Sequence, residues 1–197
     1  SIKSGMAVDY PLFSADNTAV QEINGSFIID DPREVSSSFG AALALYENTL
    51  FVGSPDDNSF SSDEGRGVIY GKRAGEWIQT HALPDPVLGS NDGFGFSAAM
   101  DSGSLVIGCG PNSTDERVYA FKRTLNNEGT HMSFTGSSAQ IISPSALNVD
   151  SNFGQSKDSI SVMGDYLVVG AHKSGSNDQG AVYRYRIASV NDINQWV

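Results

Sequence analysis

Carboxylates are the most concentrated chemical resource in this chain. Asp56, Asp57, Asp63 and Glu64 crowd one polar stretch, PDDNSFSSDEGR, together with the aromatic Phe60. Asp92, Asp115, Glu116 and Asp178 sit in three further polar stretches. Such clusters attract basic partners or cations, and an aromatic in a polar loop supplies an apolar contact. Other chemistry is sparse. His81, His131 and His172 form no His-x-His or His-x3-His pair, and Cys109 is the single cysteine. A zinc cluster and an intrachain disulfide are therefore excluded. No nucleophile elbow, phosphate-cradling glycine loop or His-Glu-x-x-His motif is present. These residues point to binding rather than catalysis.

Composition narrows the partners. The formal charge of −11 repels phosphate backbones, so nucleic acid is not expected as a partner. No apolar run approaches the roughly 20 residues that cross a bilayer, so no membrane insertion is expected. The opening SIKSGMAVDY lacks the apolar core of a signal peptide. Two sequons, at Asn24 and Asn112, are about what a chain rich in Asn and Ser carries by chance.

The elements that hold the acids come from an internal repeat. Phe-Gly pairs stand at Phe39-Gly40, Phe94-Gly95 and Phe153-Gly154, 55 and 59 residues apart. Each opens an alternating segment, a polar turn and an apolar run ending in glycine: LFVG to Gly53, LVIG to Gly108 and LVVG to Gly170. A polar loop follows, then a tyrosine-bearing segment: GVIYGKR, RVYAFKR and GAVYRYR. These runs are short, rich in β-branched and aromatic residues, and bounded by Gly, Asp, Asn and Ser, which predicts strands A, B and C with almost no helix. EWIQTHALP and SSAQIISP complete the first two units as strand D, and residues 195–197 begin a third. EINGSFIIDDP fits the same slot before repeat 1. The chain thus divides into a partial N-terminal unit at 1–38, repeat 1 at 39–93, repeat 2 at 94–152 and an incomplete repeat 3 at 153–197.

Four antiparallel strands per repeat predict an all-β protein of β-propeller-type blades, about three to three and a half of them, as a partial propeller or open arc. The Phe-Gly opening, the apolar run ending Val-Gly-Ser-Pro at Pro55 or Val-Gly-Ala at Ala171, and the Gly-x-Val-Tyr strand resemble the FG-GAP repeat, the blade of integrin α-subunit-like propellers. Repeat 2 departs from the signature at Cys109 and repeat 3 at His172. Calcium-binding members carry an Asp-rich A–B hairpin. Here those hairpins read YENT, DSGS and MGDY, with at most one carboxylate each. Calcium takes six to eight oxygens, so no metal or other cofactor is expected.

Alternating strand direction gathers the B–C loops and D–A linkers at one end. The eight acids named above lie there with Asp31, Glu34, Asp85 and Asp150, against Arg33, Arg66 and Lys173 as bases. The resemblance implies an extracellular or surface-exposed recognition and adhesion module that binds a protein or glycan through this face. Two other readings stand beside it. The incomplete blade number suits a building block of a larger assembly, such as a filament, coat or virus particle, that self-associates or joins further blades. The family also occurs as an accessory propeller beside hydrolase domains.

Overall fold

The computed structural model describes residues 37–58, 62–87, 91–111, 113, 116–122, 124–125, 132–133, 139–144, 151–190 and 193–197. The expected N-terminal unit before residue 37, Phe60, Asp115, Asn112 and His131 lie outside them.

The described residues form an all-β fold of three four-stranded antiparallel sheets. Sheet 1 runs β1 (Leu43–Tyr46), β2 (Thr49–Ser54), β3 (Arg66–Arg73) and β4 (Glu76–Pro84) in chain order. Sheet 2 is built likewise from β5 (Ser97–Met100), β6 (Ser104–Gly108), β7 (Val118–Lys122) and β10 (Gln140–Ile142). Sheet 3 holds β11 (Ile160–Met163), β12 (Tyr166–Ala171), β13 (Ala181–Val190) and β14 (Ile193–Trp196). These fall on the expected A, B, C and D segments, except that the last strand of sheet 3 begins at Ile193 rather than at 195 and completes a four-stranded sheet. One element was not expected: a two-stranded hairpin, β8 (Thr124–Leu125) with β9 (Met132–Ser133), between β7 and β10. A β-bulge makes Thr80 the extra residue of β4 opposite Ile69 and Tyr70 of β3, and its hydroxyl donates to the Ile69 carbonyl at 3.1 Å.

The sheets stack face to face with sheet 2 in the middle. Side chains alternate across a strand, so β6 sends Leu105 and Ile107 toward sheet 1 and Val106 toward sheet 3. The first core joins Phe51, Ile69 and Leu83 of sheet 1 to Leu105, Ile107 and Tyr119 of sheet 2. The second joins Val106, Val118 and Ile142 of sheet 2 to Ile160, Leu167 and Val169 of sheet 3. Burial on both faces explains why β6 reads as an unbroken apolar run. First strands lie next to first strands, β1 against β5 and β5 against β11. At the opposite edge, the Gln140 side chain brackets β14. Its amide donates to the Trp196 carbonyl at 2.7 Å and its oxygen accepts the Trp196 N–H at 2.8 Å.

The Phe-Gly phenylalanines fill these inter-sheet cores. Phe94 meets Tyr119 and Phe121 edge-on, at centroid distances of 5.5 and 6.3 Å. Phe153 repeats the arrangement with Tyr183 and Tyr185 at 5.4 and 6.3 Å. Full burial of such a ring contributes about 1.5–3 kcal/mol, and each edge contact about 0.5–1.5 more. Phe39 packs half-buried on Val68 and Tyr70 at the start of the stack, together with Trp77. Trp77 also lies beneath the Lys72 ammonium, 5.6 Å from the ring centre, so packing occupies it.

Candidate functional site

Each B–C loop is bonded to the linker that leads into the next sheet. In the first joint, Gly93 N–H donates to the Asp63 carbonyl and Phe94 N–H to the Glu64 carbonyl, both at 2.9 Å. Asn91 N–H reaches the Ser62 carbonyl at 2.8 Å. In the second joint, Asn152 N–H donates to the Glu116 carboxylate at 2.7 Å, and the Ser151 hydroxyl donates to its other oxygen. The Gln155 amide donates to the Ser113 carbonyl at 3.1 Å. The loops and linkers do gather at one end.

The acids at that end divide into two sets. Asp57, Glu64, Asp85 and Asp92 are buried, at 2, 1, 1 and 5% exposure. Asp92 pairs with Arg117 at 3.1 Å and accepts the Ser113 hydroxyl at 3.0 Å. Asp57 lies 3.9 Å from Arg66. Glu116 is half-buried and committed to the linker. The physical reason is that loop and linker backbones meet out of strand register. Their N–H groups need acceptors; Glu116 supplies one to Asn152 and Asp85 one to Val87, while Asp57 and Asp92 face arginines. Asp56, Asp63 and Asp178 remain exposed. Asp56 accepts the Ser38 hydroxyl, and Asp63 N–H donates to the Asn58 side-chain oxygen at 2.6 Å.

Sequence reasoning missed Arg117 as a site residue. The signal for it is its place one residue before Val118, which pairs with Gly108 as Gly67 pairs with Gly53. Arg66 and Arg117 therefore occupy equivalent positions, and both reach a buried aspartate. Arg117 also lies over the Tyr119 ring at 5.5 Å.

Three groups of this cluster are pushed toward their neutral forms. Burial pushes the Asp85 carboxyl up, and the Asp92 charge adds to this, while the Val87 N–H, Tyr119 and Arg117 oppose it. Burial likewise raises the Cys109 thiol and the Tyr119 phenol, with the Asp85 charge adding to both. An activated thiol needs the opposite shift. His81 lies on β4, and exposed His172 bonds the Ser156 hydroxyl at 2.8 Å through Nδ1. Among the described residues, no three His, Cys, Asp or Glu side chains are gathered as a metal would require, and no helix is long and apolar enough to cross a membrane. No protein-family model matches this chain, and no curated protein matches it.

Asp85 carries a test of this electrostatic picture. Its folded-state pKa is raised, so the native state holds the proton longer than the unfolded chain. The stability this gives is present at low pH and is lost as pH rises through the folded value. Asp85→Asn keeps the acceptor for Val87 N–H, now at 2.8 Å, without the charge. The variant should melt above the wild type at pH 7, with the gap closing on acidification through the carboxylate range. A gap that does not change with pH, read by calorimetry, would exclude a buried charge at Asp85.

Proposed function

We propose that the three sheets are FG-GAP-type propeller blades and that the chain is a non-catalytic recognition or adhesion module at an extracellular or exposed surface. It binds a protein or glycan through the B–C and D–A loop end. One observation carries this reading. The loops of the first two repeats are tied there by a buried ion pair and a carboxylate–backbone bond, the third loop bonds the same linker through Lys173 N–H to the Ser151 carbonyl, and Asp56, Asp63 and Asp178 stay in solvent. Rigid scaffolds that present loops are where binding concentrates. The neutral state of Cys109 and Tyr119 adds support, since neither is tuned as a nucleophile.

The exposed acids give the test. A lysine-rich peptide titrated by fluorescence anisotropy at low salt should bind the chain and weaken with added salt. Combined Asp56→Lys, Asp63→Lys and Asp178→Lys changes should weaken it about tenfold or more. An affinity unmoved by all three reversals would remove this face from consideration.

A further inference from the structure

The joints between sheets each set two glycines back to back. A Cβ on Gly53, at the end of β2, would lie 2.0 Å from the Gly95 carbonyl oxygen. A Cβ on Gly108, at the end of β6, would lie 2.4 Å from that of Gly154. Neither residue has the left-handed backbone that favours glycine. The Phe-Gly of the following sheet is a sufficient reason for both. Gly170, next to last in β12, stands in the same register, opposite Val182 as Gly108 is opposite Val118. Its backbone is not left-handed either, and the nearest atom to a Cβ there is the Ser159 carbonyl oxygen at an ordinary 3.7 Å. Among the described residues, nothing demands glycine at this position.

Beside Gly170 lies an open groove of about 590 Å³, lined in part by Ser156, Ser159, His172 and Val182. It occupies the place where Gly95 and Gly154 enter the two internal joints. Around it, the outer face of sheet 3 exposes Met163, Tyr166 and Val182, the last at 72%. Val118, which holds the position of Val182 in sheet 2, is fully buried against sheet 3. The other end of the stack shows the complementary surface. Leu43 and Leu45 of β1 are 63 and 61% exposed, whereas their counterparts Ala98 and Met100 in β5 pack on the sheet before them.

We propose that the groove at Gly170 and the outer face of sheet 3 dock a second copy of this chain. That copy would present Phe39-Gly40, Leu43 and Leu45, repeating head-to-tail the joint used twice within the chain. Continuity with the internal joints selects this occupant. A contact of this type is heterologous and yields a closed ring or an open filament. The inference does not depend on the recognition reading above.

The test is the native mass of the full chain by light scattering, from low micromolar to near-millimolar protein. Concentration-dependent association is expected. Gly170→Val should weaken it at least about tenfold at unchanged melting temperature, and so should Val182→Glu. A wild type that stays monomeric throughout would overturn the proposal, as would association that both folded variants retain. A Gly170→Val chain that no longer folds would show that the glycine serves the chain itself, and would overturn it as well.

Discussion

Gly53→Ala should destabilise the fold by about 3–4 kcal/mol, at the top of the range for overpacking and far beyond an ordinary surface change. The added methyl would sit 2.0 Å from the Gly95 carbonyl oxygen and 2.9 Å from its carbon. Both obstacles are backbone, so no rotamer can relieve the clash. Moving Gly95 would drag Phe94 out of its contacts with Tyr119 and Phe121, opening the joint between sheets 1 and 2. Gly170→Ala, chemically the same change at the same strand position, should cost less than about 1 kcal/mol in the monomer, because its methyl meets only ordinary contacts. Urea midpoints for the two variants, converted through a shared m-value, provide the comparison. Equal losses would mean that strand position alone, and not the approach of the next sheet, makes these glycines necessary.

Arg117→Met should cost about 3–5 kcal/mol, the usual penalty for stranding one member of a buried ion pair. Arg117 and Asp92 are 8 and 5% exposed and 3.1 Å apart. Methionine keeps most of the aliphatic stem but removes the guanidinium that lies over Tyr119 and leaves the Asp92 carboxylate with less compensation. Adding Asp92→Asn should return part of the loss, since the amide can still accept the Ser113 hydroxyl without a charge to bury. A double-mutant cycle at neutral pH checks this. If Asp92→Asn worsens Arg117→Met, the pair is not the origin of the effect.

The strands were legible for a physical reason. Each apolar run in β2, β6 and β12 fills cores or sheet faces in a fixed register, so the pattern LFVG, LVIG, LVVG repeats with the geometry. Gathering of the loops at one end followed from strand direction alone. The fate of individual acids did not. Asp57, Glu64 and Asp92 stand among Ser, Asn and Gly, the composition of a solvated loop, and burial comes from partners remote in sequence. Glu116 meets Asn152 across 36 residues, and Asp92 meets Arg117 across 25. Nothing local announces such a meeting. The β8–β9 hairpin was missed because strands of two residues are too short to show alternation.

The bonds between a B–C loop and the following linker bear on how far this chain is modular. A boundary drawn at a Phe-Gly pair looks like a seam in the sequence. In the molecule it passes through Ser113 and Gln155, through Gly53 and Gly95, and through the core that Phe94 shares with Phe51 and Ile69. Every seam is therefore made half by the repeat before it and half by the repeat after. Excising one repeat would leave the Gln155 amide without its carbonyl on one side and a phenylalanine without its pocket wall on the other. The unit that can be transplanted intact is shifted from the unit that can be read: it is the joint, not the repeat.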